Sequence, residues 1–365
     1  MESLGVVRPD FWRGRRVFLT GHTGFKGSWL GLWLVGMGAK VTGFALAPPT
    51  QPSLFELARV AEGMTSLTGD IRDAEALGKA MRDAQPELVI HMAAQSLVRA
   101  SYDDPVGTYA TNVMGTAHVF EAVRGCSSVR AVLSVTSDKC YENREWMWGY
   151  REHDAMGGYD PYSSSKGCAE LVTSAYRRSF FNPQDYAAHK VAVASARAGN
   201  VIGGGDWAAD RLVPDAMRAF LGNAALEVRN PRSIRPWQHV LEPLNGYLQL
   251  CQQLLGDQAA TFAEGWNFGP HSESERPAQD LLAITQKLWG EGAIWTDVGN
   301  ASQPHEAHFL RLDCTKARVA LHWQPLYRLE QALALTVEWY KAYQAKADLR
   351  TLTLRQIHDL MAIVP

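Results

Sequence analysis

The chain has 365 residues, 46% of them hydrophobic and 20% charged, with a formal net charge of −2. That length and apolar content can bury a large core, and they suggest two domains or one elaborated α/β unit. The near balance of charge excludes the basic surface that would take nucleic acid or an anionic membrane as partner.

Met1 to Asp10 carry no long apolar core, and no apolar run approaches the roughly 20 residues needed to span a bilayer, so a cytoplasmic location is expected. The five cysteines, Cys126, Cys140, Cys168, Cys251 and Cys314, are scattered and never spaced C-x-x-C. They read as reduced packing residues, with no metal site.

Phe11 and Trp12 precede the first strand as an arm over the sheet edge. Val17 to Leu19 read as a buried strand, and Trp29, Leu30, Trp33, Leu34 and Met37 recur at helical spacing. Between them stands Gly21-His22-Thr23-Gly24-Phe25-Lys26-Gly27. Glycines so placed allow a tight turn and let backbone amides approach a pyrophosphate at the amino end of the following helix. The spacing is G-x-x-G-x-x-G rather than G-x-G-x-x-G, so plain turn formation stays open as the alternative at this point.

Lys40 to Leu46 reads as strand two, followed by a proline-rich loop, a short helix at Ser53 to Val60, strand three at Thr65 to Ile71, a helix at Ala74 to Ala84 and strand four at Leu88 to Ala94. Strand and helix alternate with a period near thirty residues, which predicts a parallel sheet with ligands beyond the carboxyl ends of its strands. Strand four ends in the small residues Ala93 and Ala94, then Gln95. Pro105 to Gly125 reads as one long helix holding Asn112 as a polar exception, which either ties backbone near the site or is exposed. Strand five, Ala131 to Thr136, ends at Ser137-Asp138-Lys139, three reactive side chains at one strand tip. Tyr162 and Lys166 open a helix running to about Phe181 and share one face of it. Strand six, Val191 to Ser195, leads into Arg197-Ala-Gly-Asn200-Val201. Beyond it the rhythm changes: helices at Leu212 to Leu221 and Pro277 to Trp289, short strands at Ala225 to Val228, Gln238 to Val240, Trp266 to Phe268 and Ile294 to Val298, then two amphipathic helices at Leu329 to Tyr343 and Leu352 to Met361.

A tyrosine four residues before a lysine is a general-base device beside an oxidised dinucleotide, because an ammonium and a cationic ring favour phenolate over the ordinary phenol near pH 10. Alone the pair is cheap. Asp138 and Lys139 read either as a general acid and base, the acid raised and the base lowered in a dry pocket, or as a mutual surface ion pair.

Taken together, Gly21-x-x-Gly24-x-x-Gly27, Asp70-Ile71, Ala93-Ala94-Gln95, Tyr162-x-x-x-Lys166 and Arg197-x-x-Asn200-Val201 resemble the extended short-chain dehydrogenase/reductase family, in its nucleotide-sugar-modifying branch, in order and over nearly the whole chain. The resemblance implies an α/β fold with a Rossmann-type doubly wound parallel sheet at residues 1–200, to which 236–265 return. It also implies a smaller mixed α/β nucleotide-sugar-binding domain at 201–235 and 266–365. By the same resemblance a resident NAD would be held by Gly21, Thr23, Gly24, Phe25, Lys26, Gly27, Asp70, Ile71, Ala93, Ala94, Gln95, Asn112, Tyr162 and Lys166. Asn200, Val213, Pro214 and Arg235 would meet the substrate's diphosphate, with Arg211, Arg229 and Arg232 as substitutes. Ser137, Asp138, Lys139, Tyr162 and Lys166 would be catalytic, and the acid and base at 138 and 139 point to dehydration rather than epimerisation. A 4-epimerase or reductase of the same fold, and a non-catalytic cofactor-sensing scaffold, stand as the rivals. Phe44-Ala45-Leu46-Ala47 offers no carboxylate for the adenosine ribose, so NADP stays open beside NAD, with His22 and Lys26 as conceivable 2′-phosphate neighbours. The helices at 106–125 and 162–181 resemble those that build a four-helix interface in this family, which implies a homodimer, with a tetramer as the alternative.

Overall fold

In the computed structural model, which describes residues 7–299 and 309–363, the main sheet has seven parallel strands among the described residues. They are β1 (Arg16–Thr20), β2 (Lys40–Ala45), β3 (Thr65–Thr68), β4 (Leu88–His91), β5 (Ala131–Val135), β6 (Ala192–Arg197) and β7 (Gly265–Asn267), in the spatial order β7-β6-β5-β4-β1-β2-β3. The order reverses between β1 and β4, where an open α/β sheet presents its ligand crevice. Helices cover both faces. Val17 and Leu19 point into one core with Leu30, Trp33 and Leu248, while Phe18 between them points into the other with Val89, Phe120 and Val123. Two-sided burial explains the apolar runs Val17–Leu19 in β1, Leu88–Ile90 in β4 and Ala131–Leu133 in β5, whereas β3 at the sheet edge is largely exposed.

The expected elements recur with shorter strands, since β3 and β4 stop before Gly69 and Met92 and free those tips to line a cleft. Three departures bear on the site. The helix expected at Pro105 to Gly125 is broken into Pro105–Tyr109, a π turn at Ala110–Met114 and Gly115–Arg124. The widened turn carries Asn112, whose amide is occupied by tertiary hydrogen bonds, the usual setting of a π bulge at a functional site. Second, an unanticipated helix, Leu241–Leu254, is buried on nearly every side, so it lacks the amphipathic period that reveals a surface helix. Third, the seventh strand, Gly265–Asn267, pairs with β6, so the return to the sheet reaches 267, and the final helix, Leu349–Ile363, packs both on Phe25–Gly36 and on the helix Leu329–Gln344. The expected domain limits at 1 and 365 lie outside the described residues.

Among the described residues three two-stranded sheets accompany the main one: Val201–Ile202 with Gln238–His239, Ile234–Pro236 with Glu275–Pro277, and Ala225–Val228 with Ile294–Asp297. With the helix Leu212–Leu221 they wall the far side of the cleft.

Candidate active site

A cleft of about 870 Å³ runs along the carboxyl tips of the strands. Its floor begins at the glycine turn. Gly21 has φ +77°, and a β-carbon there would lie 2.7 Å from the Ala93 nitrogen; one on Gly27 would lie 2.1 Å from the Gly21 carbonyl oxygen. Those two glycines let the turn close against β4 and against its own helix. Gly24 differs: its nearest neighbour for an added carbon is 3.5 Å away, it lines the cleft, and no side chain caps the helix Phe25–Gly36 that it starts. A bare Cα at an uncapped helix start is what a pyrophosphate requires. The chemistry of this turn therefore fits a dinucleotide.

Thr23, Phe25 and Lys26 also line the cleft, with Asp70, Ile71, Ala93, Ala94 and Gln95. Asp70 is tied to Arg72, which holds its carboxyl below the usual range, and Gln95 donates to the Leu97 carbonyl and to Thr108. Asn112 is buried. It accepts from the Gln95 backbone at 2.9 Å and donates to the Gln95 carbonyl at 2.9 Å and to the Ser165 hydroxyl at 2.8 Å, joining the β4 tip to the Tyr162 helix. Of the two alternatives for Asn112, tying backbone near the site is the one realised.

His22 does not reach the cleft. It lies under the turn against the Ser66 hydroxyl at 2.7 Å, and burial lowers its pKa to about 4, so it is a neutral packing histidine. Lys26 points to the opposite, catalytic end: its ammonium is 3.4 Å from the Tyr247 hydroxyl, and burial, helped by Lys166 and Arg211, brings it down to about 7. Neither residue is a 2′-phosphate ligand.

Asp160 caps the Tyr162 helix by accepting from Ser163 N at 2.9 Å, Pro161 occupies its first turn, and Ser101 accepts from Tyr162 N at 3.1 Å. Tyr162 and Lys166 are thereby fixed at the cleft wall. Burial raises the Tyr162 phenol to about 12, against a downward pull from the Ser137 hydrogen bond, and lowers Lys166 to about 8. The protein groups alone thus leave the phenol protonated, and a phenolate needs a further positive charge beside it.

At the β5 tip, Asp138 is only 2% exposed, which ends the surface ion-pair reading; no ion pair joins it to Lys139 among the described residues. Ser137 donates to Asp138 Oδ1 at 3.0 Å, while Oδ2 is buried without a partner. Burial raises this carboxyl above its ordinary value, with Lys139 the strongest opposing influence. An acid kept protonated, with one oxygen unused, can give a proton to a leaving group. Lys139 lines the same cleft.

Asn200, Val213, Pro214 and Arg235 line the far end, as do Arg211 and Arg229, whereas Arg232 does not. Arg211 is 3.1 Å from Asp206 and Arg229 is 3.3 Å from Asp210. His239 is fully buried between Trp29 and Tyr327, a structural histidine. Tyr247, beneath Lys26 and within electrostatic reach of Asp138 and Tyr162, escaped the sequence reading. Its helix was unmarked by periodicity, and no motif flanks it.

Residues 18–336 match the family model of GDP-mannose 4,6 dehydratase. Over 357 residues, 98% of this chain and 99% of the other, the sequence is 55% identical to the CDP-glucose 4,6-dehydratase of Salmonella typhimurium strain LT2. It is 25% identical over 353 residues to a dTDP-glucose 4,6-dehydratase of Xanthomonas campestris, covering 89% and 93% of the two chains. Among solved structures, the dTDP-glucose 4,6-dehydratase of Bacillus anthracis in complex with NAD superimposes with a TM-score of 0.73 at 20% identity, covering 93% of this chain and all of that one. The dTDP-glucose 4,6-dehydratase of Streptomyces venezuelae with NAD and TYD bound gives 0.74 at 22% identity, covering 91% and 98%.

Proposed function

We propose, from the premise that this chain belongs to the GDP-mannose 4,6-dehydratase family, that it converts CDP-glucose to CDP-4-dehydro-6-deoxyglucose and water. The enzyme is a nucleotide-sugar 4,6-dehydratase. The observation that carries this reading is the buried carboxyl of Asp138, one oxygen unpartnered, set in the same cleft as the Tyr162–Lys166 pair. An epimerase or reductase has no use for such an acid.

The cofactor is NAD, held at the glycine turn with Thr23, Phe25 and Lys26, along Asp70, Ile71, Ala93, Ala94 and Gln95, with Asn112 keeping the β4 tip in place. When bound, NAD supplies an acceptor for the C4 hydrogen, which is later delivered to C6. Tyr162 takes the proton of the sugar O4, with Ser137 hydrogen-bonding the phenol and Lys166 supplying positive charge. The resulting 4-ketone acidifies C5. Lys139 removes the C5 proton, and Asp138 protonates the departing 6-hydroxyl, so C5 and C6 are joined by a double bond as water leaves; Lys139 then returns a proton to C5 as C6 receives the hydrogen taken from C4. Asn200, Val213, Pro214 and Arg235 hold the nucleotide end, Arg235 suited to paired hydrogen bonds with phosphate oxygens. Residues 1–200 and the segment from 236 make the dinucleotide-binding domain, and 201–235 with the later part of the chain make the smaller substrate-binding domain.

Offered CDP-, dTDP-, UDP- and GDP-glucose, the protein is expected to turn the first into a 4-keto-6-deoxy sugar, read by its base-induced absorbance. Unchanged hexose or a 4-epimer from CDP-glucose would refute the assignment. Lys166 and Asp138 both act protonated, and Lys166 stands at about 8. Product formation is therefore expected to fall as pH rises through about 8, measured as kcat/KM across a pH series.

No described helix is long and apolar enough to cross a membrane, and the proposed location is the cytoplasm. The proposed assembly is a homodimer through the helices flanking the site. Their outer faces expose Val106, Met114 and Leu171, at 77%, 52% and 59%. Leu171→Glu with Val106→Glu is expected to yield monomers by light scattering after size exclusion, and an unchanged assembly would place the interface elsewhere.

A further inference from the structure

Tyr162, Lys166 and Glu170 follow one another at four-residue intervals on the helix Pro161–Ser179, so they share the face turned to the strand tips. The first two belong to the proposed mechanism; Glu170 does not. It is nevertheless buried and accepts three hydrogen bonds, from the Thr136 hydroxyl at 2.5 Å, the Ser195 hydroxyl at 2.7 Å and Arg197 Nη2 at 2.7 Å. Arg197, also buried, donates from its other terminal nitrogen to the Tyr141 hydroxyl at 2.7 Å and the Glu152 carbonyl at 2.9 Å. Tyr141 in turn donates to Asn267 Oδ1 at 2.8 Å on β7.

Thr136 and Tyr141 bracket the Ser137-Asp138-Lys139 turn on its two sides. One buried ion pair is therefore bonded to both ends of the turn that carries the acid and to the helix that carries Tyr162 and Lys166. Helix propensity and sheet pairing fix each element separately, but neither fixes the turn against the helix.

We propose that Glu170, through Arg197, is the positioning residue that sets the Ser137–Lys139 turn against Tyr162 and Lys166. The inference rests on the functional reading above. It accounts for two charges buried where an apolar pair would pack at least as stably. It also gives Glu170 an electrostatic effect. The titratable groups that act on Lys166 or are acted on by it are Cys140 beside the turn, His91 on β4, Lys26 at the glycine turn and Glu170 itself; burial raises the Cys140 thiol well above its ordinary value and lowers His91 to about 3, so both are neutral and Glu170 is the negative charge among these groups that favours protonated Lys166.

The test compares the dinucleotide-loaded wild type with Glu170→Gln and with the double variant E170Q/R197M, which removes both charges and so leaves no lone buried ion. Three readouts are taken: kcat and KM for CDP-glucose, the pH at which kcat falls, and amide hydrogen exchange of the segments 131–141 and 161–170. Loss of register is expected to lower kcat about 100-fold while KM changes little, since misplacement by about 1 Å is enough for that loss. The alkaline limb of kcat moves to lower pH in E170Q, because the charge that helps Lys166 keep its proton is gone. Both segments exchange faster together, while the β1–β2 core keeps its protection. A folded double variant with wild-type kcat, or one in which only a single segment loosens, would overturn the proposal. If the wild type makes no 4-keto-6-deoxy sugar, the functional reading fails instead, and hydrogen exchange still decides whether the ion pair couples the two segments.

Discussion

Tyr162→Phe is expected to cut turnover of CDP-glucose by about 10³-fold, the middle of the range that a positioned acid–base group contributes. The substitution removes one oxygen from a side chain that is 8% exposed and packed at a helix start held independently by Asp160 and Ser101. Folding and dinucleotide affinity should therefore be retained, with the melting temperature within a few degrees and the dissociation constant for NAD within about threefold. The loss falls on the first step, so no C5 exchange with solvent is expected either. A variant that keeps more than about a tenth of wild-type kcat would remove the phenol from the mechanism.

Asp138→Asn separates the later steps. The carboxyl is raised by burial and acts as a neutral acid, so the amide matches its shape and charge, and the fold should tolerate it. Gly199 leaves just the room the side chain needs, since a β-carbon there would lie 1.8 Å from Asp138 Oδ2. An amide cannot give a proton to the departing 6-hydroxyl. Dehydration is expected to drop by about 10²- to 10³-fold. Oxidation at C4 and deprotonation at C5 by Lys139 remain, so CDP-glucose recovered from heavy water should carry deuterium at C5 by NMR. Lys139→Met is expected to lose that exchange as well as dehydration. Dehydration at the wild-type rate in Asp138→Asn, or absence of C5 deuterium in it, would contradict the division of roles.

How far the sequence reveals the site depends on whether a residue's role is local. The glycine turn is local: strand, turn and helix lie within 21 residues, from Arg16 to Gly36, and their spacing alone suggests a pyrophosphate cradle. Tyr162 and Lys166 are local in the same sense, being one helical turn apart. The raised carboxyl of Asp138 is not, because it follows from burial against a backbone brought in from far along the chain, with Gly199 closed on its Oδ2. His22 shows the reverse error. Its place inside a phosphate-binding motif suggested ligand contact, yet the turn sends its ring inward to Ser66 and Phe55. The π turn around Asn112 and the buried helix Leu241–Leu254 were hidden for one reason: tertiary contacts, not amphipathic period or caps, define both.

In the proposed mechanism the hydrogen leaving C4 ends on C6 of the same sugar, while the acid and base at the β5 tip expel water between those events. This transfer is tested by giving the enzyme CDP-glucose deuterated at C4, mixed with unlabelled CDP-glucose in ordinary water, and locating deuterium in the product by NMR and mass spectrometry. The mechanism predicts 4-keto-6-deoxy product with deuterium at C6 only in molecules derived from labelled substrate. Deuterium retained at C4 of a hexose, or washed out to solvent, would contradict it.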